Sequence, residues 1–134
     1  MGEPENERAV QALYAALGRG DIPAILATLA EEIEWRIAGP SELPYAGTHR
    51  GRDAVAQLLE TLGRTAEFEE FAPQEYFTRG DKVVVLGRER QRVKATGQTV
   101  ETEWAMVFTL SGGKIARFHN FVDTHAVAAA HRGA

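Results

Sequence analysis

The strongest constraint on the fold is an alternation of apolar and polar residues in the second half of the chain. Residues 100–110 carry Val100, Trp104, Met106, Phe108 and Leu110 at even positions, and residues 83–93 and 115–122 can be sorted into two faces by the same two-residue period. Successive side chains of a strand point to opposite faces, so this period predicts three β-strands, each with one buried face. Short glycine-containing segments separate them and are typical of turns. With the segment that begins at Phe68, we expect four strands over residues 68–123.

The first half of the chain has the apolar spacing of amphipathic helices instead. Helices followed by an antiparallel meander indicate an α+β domain, here one domain over residues 1–134. We expect three N-terminal helices packed on a strongly curved, mostly antiparallel sheet, with an apolar cavity where helices and sheet diverge. The predicted elements are helices at 5–18, at about 22–29 with Asp21 as N-cap, at 53–62 and at 124–130, a strand at 32–38, and a loop at 39–51.

Composition excludes several classes of function. The formal net charge is −4, whereas a nucleic-acid or anionic-membrane partner would favour a basic face. The chain has no cysteine, which excludes disulfides, thiolate nucleophiles and cysteine-ligated metals. The acidic N-terminus lacks the apolar stretch of a signal peptide, so we expect a cytoplasmic protein that binds neither nucleic acid nor membrane.

The strand period also sorts charged residues to one face of the sheet. Arg88, Arg90 and Arg92 share the even positions of residues 83–93, and Glu101 and Glu103 share the odd positions of residues 100–110. Placing all five on the outer face forms cross-strand pairs of opposite charge, whereas the opposite register would bury three arginines. We therefore expect the odd-numbered residues of 83–93 to face inward.

This assignment places three polar side chains on the inner face, namely Glu89, Gln91 and Asn120. A carboxylate and two amides in an aromatic pocket are typical of a small-ligand site, and burial would raise the pKa of Glu89 toward the range of a general acid or base. These three are the candidate catalytic residues. The alternative is that Glu89 reaches solvent at the end of the strand or turns toward an arginine.

Apolar residues on the same face are the candidate walls of the ligand pocket. For Trp104, Met106 and Phe118 plain core packing is the more common role, because aromatic residues at strand spacing are usually core. No pair of histidines has zinc-ligand spacing and no nucleotide-binding motif is present, so we expect neither a metal nor a cofactor. The candidate ligand-binding residues are Tyr14, Trp35, Ile37, Trp104, Met106, Phe108, Phe118 and Val122.

The histidines and one loop tyrosine are harder to assign. His49 and Tyr45 lie in the Gly- and Pro-rich loop, and whether they fold over the pocket stays open. His119 falls on the outer face, where a structural role is expected. His125 and His131 lie in the C-terminal tail, where exposure to solvent is the default.

Seven short segments carry a recognisable layout, namely Gly20-Asp21, Glu34-Trp35-Arg36, 46–55, 80–85, 104–108, 113–115 and 121–124. On these segments the chain resembles the NTF2-like superfamily, and within it the SnoaL-like, ketosteroid-isomerase-related proteins. The resemblance covers nearly the whole chain, although each motif is a feature of the scaffold.

The resemblance implies a cone-shaped α+β barrel with a deep apolar cavity, and dimers that form through the outer face of the sheet. Ketosteroid isomerases carry a catalytic aspartate at the position of Ile37 and a protonated aspartic acid at that of Trp104, so their mechanism does not transfer. The charged trio of limonene-epoxide-hydrolase-like enzymes falls at Glu89, Gln91 and Asn120. The same three positions are therefore polar here, with altered chemistry.

Two functions remain open. The first is an enzyme that performs acid–base chemistry, such as isomerisation, cyclisation or dehydration, on a small apolar carbonyl compound without a cofactor. The second is a protein that binds a small hydrophobic ligand without chemistry, or a dimeric accessory module. A homodimer is expected in either case.

Overall fold

One six-stranded sheet and four helices make up the fold in the computed structural model, which describes residues 2–133. The elements are α1 (Glu3–Arg19), α2 (Ile22–Ala27), β1 (Leu29–Ile37), β2 (Gly47–Arg50), α3 (Arg52–Thr65), β3 (Ala66–Arg79), β4 (Lys82–Val93), β5 (Thr99–Ser111), β6 (Lys114–Val122) and α4 (Thr124–Arg132).

The strands are arranged in the order β2-β1-β6-β5-β4-β3. All neighbours are antiparallel except β1 and β6, which are parallel. The α+β class, the mostly antiparallel sheet and the four strands from β3 to β6 are thereby confirmed. None of the helices within residues 2–133 is long and apolar enough to cross a membrane.

One expected loop is in part a strand. Residues 47–50 form β2, which pairs with the edge of β1, so α3 follows two strands and does not stand in one group with α1 and α2. Three of the four residues of β2 are exposed, and the strand has no large apolar side chain. The pairing is made by the backbone, which explains why hydrophobic periodicity did not reveal it.

Side-chain caps fix the starts of two helices. The Asp21 side chain accepts a hydrogen bond of 3.1 Å from the Ala24 amide at the start of α2, as expected from the sequence. The Asp123 side chain does the same for α4, through the Ala126 amide at 3.0 Å. The second cap places α4 directly after β6, so that the helix returns across the end of the sheet.

The predicted parity of the strands is confirmed. The odd-numbered residues of β4 are buried from Val83 to Val93, and the even-numbered residues of β5 are buried from Thr102 to Leu110. Arg90 of the outer face pairs with Glu101 at 3.3 Å, as expected. Arg88 pairs with Glu70 of β3 at 2.8 Å instead of its cross-strand neighbour Glu103.

A glycine on the inner face of β4 makes room for a tryptophan. Gly87 lies directly opposite Trp104 of β5, and a Cβ atom at Gly87 would be 2.5 Å from the indole ring. The indole stacks on Phe71 of β3, with ring centroids 5.1 Å apart. This packing holds β3, β4 and β5 together beside the candidate site.

We predict that Gly87→Ala lowers the free energy of unfolding by about 1–3 kcal/mol, because the added methyl group must displace the indole or the backbone of β3. Chemical denaturation measures the change. Gly63→Ala is the matched control, since a Cβ there meets nothing within 4 Å and alanine favours the helix. Equal stability of Gly87→Ala and the wild type would contradict the packing argument.

Candidate functional site

A pocket of about 360 Å³ lies between the inner face of the sheet and the helices that cover it. Its walls come from α1, α3, α4, the loop between β1 and β2, and strands β1, β3, β4, β5 and β6. Most of the lining is apolar. Nine of the residues singled out in the sequence are part of it, namely Tyr14, Trp35, Ile37, Glu89, Gln91, Met106, Phe118, Asn120 and Val122.

Two expected wall residues lie outside this lining. Trp104 is buried between Gly87 and Phe71, and its ring centroid is 6.1 Å from that of Tyr14. Phe108 is fully buried, with its ring edge-to-face against Tyr14 at 5.8 Å. The Tyr14 ring packs against both, which fits the core-packing alternative stated for Trp104 and gives Phe108 a core contact as well.

Glu89 and Gln91 form the polar end of the pocket. Both point inward from β4 and are only 6% and 3% exposed. The Gln91 amide Nε2 donates a hydrogen bond of 2.8 Å to Oε2 of Glu89, so the carboxyl group has an amide partner in place of an arginine or bulk water. Burial raises the pKa of Glu89 from 4.5 to about 7, although the hydrogen bond from Gln91 opposes part of that rise.

Asn120 does not join this pair. Glu89 lies opposite Thr102 on β5, whereas Asn120 lies opposite Met106, four residues further along the same strand. At about 3.3 Å per residue, this places Asn120 about 13 Å away along the strand direction. The three polar residues thus line one pocket at two separate places.

Several polar atoms of the lining residues lack a protein partner among the described residues. They are the Gln91 Oε1, the Asn120 Oδ1 and the Trp35 Nε1, all buried. A buried polar atom without a partner costs free energy, which a ligand or a bound water molecule relieves. These atoms are therefore the natural hydrogen-bonding points for whatever occupies the pocket.

Tyr45 is the lining residue that sequence reasoning left open. It projects from the loop between β1 and β2, is 6% exposed and lines the pocket. Its hydroxyl lies 3.4 Å from Nε2 of His131 on α4, and Nε2 of His49 contacts its backbone oxygen at 2.8 Å. Burial, with a smaller contribution from the charge of Glu89, raises the pKa of Tyr45 to about 12.

The expectation of an exposed His131 in the C-terminal tail is corrected by this contact. His131 is partly buried against Tyr45, and burial lowers its pKa. A signal for the tyrosine was present in the loop, where Leu43 and Tyr45 are large apolar residues among small and polar ones. The contact between loop and tail spans 86 residues, which no local pattern could reveal.

The hydroxyl of Tyr14 is turned away from the polar end. It donates a hydrogen bond of 3.2 Å to the sulfur of Met106, and burial raises its pKa. Within residues 2–133, no three His, Asp or Glu side chains are grouped so as to hold a metal ion.

Comparison with known proteins agrees with this architecture. Residues 10–118 match the model of the SnoaL-like domain family. An NTF2-like protein from Burkholderia xenovorans LB400 is 39% identical, covers 98% of each chain and superposes with a TM-score of 0.90. TerC, crystallised with polyporic acid, is 25% identical over 96% of this chain and 98% of its own, with a TM-score of 0.87.

A protein of unknown function from Mycobacterium tuberculosis H37Rv is also similar, at 27% identity over 112 residues, which is 84% of each chain. The family match covers most of the chain, and the similar structures share its strands and helices along almost their whole length. The chain therefore belongs to the SnoaL-like domain family and has the NTF2-like fold.

Proposed function

We propose that the protein is an enzyme that moves a proton on a small, mainly apolar carbonyl compound held in the pocket, with Glu89 as the acid–base group. The observation that carries this proposal is a single buried carboxyl group, with a pKa near 7, at the end of an aromatic pocket. Isomerisation, cyclisation and dehydration next to a carbonyl group all need such a proton transfer.

The pKa of Glu89 suits this chemistry. A group with a pKa near the working pH accepts a proton readily and still returns it, so both directions of transfer are accessible. Gln91 restrains the carboxyl group through one oxygen, Oε2, and leaves Oε1 for the reacting carbon. A ligand that fills the pocket between its apolar walls would displace water, which strengthens the interaction between the carboxylate and the polarised substrate.

The other lining groups suit an oxygenated ligand with an apolar frame. Trp35 and Phe118 form an aromatic wall with ring centroids 4.1 Å apart. Asn120 supplies an unpartnered amide oxygen for a second polar group of the ligand. The crystallisation of TerC with polyporic acid supports a small organic ligand for a protein of this shape.

The alternative function is the binding of a small hydrophobic ligand without chemistry. The observation that favours it is that the described lining residues include no second carboxylate or basic side chain to act as a partner acid or base. Among the described residues that line the pocket, Glu89 is the one carboxylate, and there is no lysine, arginine or histidine. Both functions predict ligand binding, so a proton-transfer assay is needed to separate them.

We predict that the protein catalyses hydrogen–deuterium exchange at the α-carbons of β-tetralone, an apolar bicyclic ketone, and that Glu89→Gln lowers this catalysed rate at least about 100-fold. The rate should rise with pH through about 7, because the base is the ionised form of Glu89. Proton NMR in deuterium oxide measures the exchange.

Glu101→Gln is the matched control for that experiment, because it makes the same chemical change on the exposed outer face. Its exchange rate should equal that of the wild type. If β-tetralone binds and Glu89→Gln exchanges its protons as fast as the wild type, the acid–base role is wrong and the ligand-binding alternative gains support.

We also propose a homodimer through the outer face of the sheet. Leu86 and Phe121 are exposed there and lie in one row, with Ala105 between them, and Phe77 is 53% exposed nearby. His119 contacts Phe121 on this face, with ring centroids 3.9 Å apart. A contiguous apolar patch of this kind is typical of a protein–protein interface.

We predict that Phe121→Glu converts the dimer to a monomer at micromolar concentration, because two copies of the new carboxylate would be buried near the symmetry axis. Sedimentation velocity measures the mass. Phe68→Glu is the control, since Phe68 is similarly exposed but lies at the pocket. A wild-type monomer would contradict the dimer proposal.

A further inference from the structure

The proposed proton transfer needs a hydrogen-bond donor for the substrate oxygen. When a base removes a proton next to a carbonyl group, negative charge develops on the carbonyl oxygen and needs a hydrogen-bond donor. Gln91 already donates to Glu89 through Nε2. The indole N–H of Trp35, unpartnered within residues 2–133, belongs to the Asn120 side of the pocket, because Trp35 lies opposite Phe118, two residues before Asn120 on β6. A donor is therefore needed at the end of the pocket that carries Glu89.

The hydroxyl of Tyr45 is placed to be that donor. Tyr45 contacts His131 of α4, and the hydroxyl of Thr96, in the turn after β4, donates a hydrogen bond of 2.7 Å to the backbone oxygen of Ala130 on the same helix. Tyr45 therefore lines the pocket at the end of β4 that carries Glu89 and Gln91. Among the described residues, no hydrogen bond joins Tyr45 and Glu89 directly, so neither group occupies the other. With its pKa raised to about 12, the phenol keeps its proton at neutral pH.

The surroundings of Tyr45 hold its hydroxyl in place. Nε2 of His131 is 3.4 Å away, and His49 contacts the Tyr45 backbone oxygen at 2.8 Å. The loop and the tail helix are also joined by an ion pair between Glu42 and Arg132, at 2.8 Å. At 3.4 Å the contact with His131 is longer than an ordinary hydrogen bond, so the phenol is oriented but remains available to a ligand.

We propose that Tyr45 is a second catalytic residue, which donates a hydrogen bond to the ligand oxygen; this inference rests on the proposed function. His131 is the positioning residue of Tyr45. Glu89 takes the proton from the α-carbon, and the electron pair of that C–H bond forms the C=C bond of an enolate. The π pair of the C=O bond moves to the oxygen, where the O–H group of Tyr45 stabilises it. With Nε2 protonated, the neutral imidazole of His131 donates to the phenol oxygen and directs the phenol proton toward the ligand.

Tyr14 provides a matched comparison. It lines the same pocket and is the same residue type, but its hydroxyl donates to the sulfur of Met106 at 3.2 Å. Replacing Tyr14 with phenylalanine removes a hydroxyl group from the lining without touching the polar end. An effect specific to Tyr45 can therefore be separated from a general effect on the pocket.

The test compares two probes of one shape, β-naphthol and β-methylnaphthalene, by ligand-observed NMR. The naphthol oxygen represents an enol oxygen, and the methyl group replaces it in the second probe. We expect the wild type to bind β-naphthol more tightly than β-methylnaphthalene. The ratio of the two affinities should fall about tenfold in Tyr45→Phe, which is the effect of losing one hydrogen bond. β-Methylnaphthalene should bind both proteins equally, and Tyr14→Phe should keep the preference.

The role of His131 is tested by two further variants. His131→Gln keeps a nitrogen donor near the position of Nε2 and should retain the preference for β-naphthol, whereas His131→Leu should lose it. If Tyr45→Phe fails to fold, which the loss of β-methylnaphthalene binding would reveal, this pair of variants carries the test. Equal preference in both would then overturn the inference.

The remaining outcomes separate this inference from the proposed function. If Glu89→Gln loses the preference and Tyr45→Phe retains it, the role of Tyr45 is overturned while that of Glu89 stands. A wild type that binds both probes equally overturns the role of Tyr45 and leaves an apolar ligand pocket. If neither probe binds, the proposed function fails and this inference fails with it.

Discussion

The burial of the Glu89 carboxyl group is the constraint on which the rest of the site depends. Its pKa is raised from 4.5 to about 7, so the folded protein holds a proton that the unfolded chain has released between these pH values. Stability therefore falls as pH rises from 4.5 to 7. Above pH 7 the cost is constant, at about 3 kcal/mol, and below pH 4.5 it vanishes because both states are protonated.

The free-energy cost of burying Glu89 is tolerated because the other register of β4 would bury more charged side chains. A shift by one residue would turn Glu89 outward but would bury Arg88, Arg90 and Arg92, each of which now pairs with a carboxylate of β3. Arg92 pairs with Glu67 at 2.9 Å, for example, on the side of β3. The charges of the outer face thus fix the position of the carboxyl group on the inner face. On that inner face, Gly87 makes room for the indole of Trp104, which packs β3, β4 and β5 together.

The sequence was sufficient for what depends on local period. Strand parity, the Asp21 cap and the inward direction of Glu89 and Gln91 follow from spacing and charge alone. What local spacing does not encode depends on distant contacts. Trp104 and Phe108 lie against Tyr14 of the first helix, and their depth below the pocket surface is decided by that packing, which strand spacing does not encode.

Contacts between residues that are far apart in the sequence also determine the rest of the site. Tyr45 and His131 meet only because a loop and the tail helix converge at one end of the sheet, and β2 lacks the apolar residues that make a strand visible. Asn120 has the predicted face but a different place along it, since the distance from Glu89 follows from the register of three strands. Residue type and face were predictable, whereas mutual distance was not.

The acid–base role of Glu89 depends on the pKa of its carboxyl group in the folded protein. Carboxyl-carbon NMR titration of the wild type, with the signal assigned by its absence in Glu89→Gln, measures it in the folded protein. The account predicts a value of about 7. A value at or below 4.5 would mean that water or a cation reaches the carboxylate, and neither the acid–base role nor the apolar surroundings described for this group would stand.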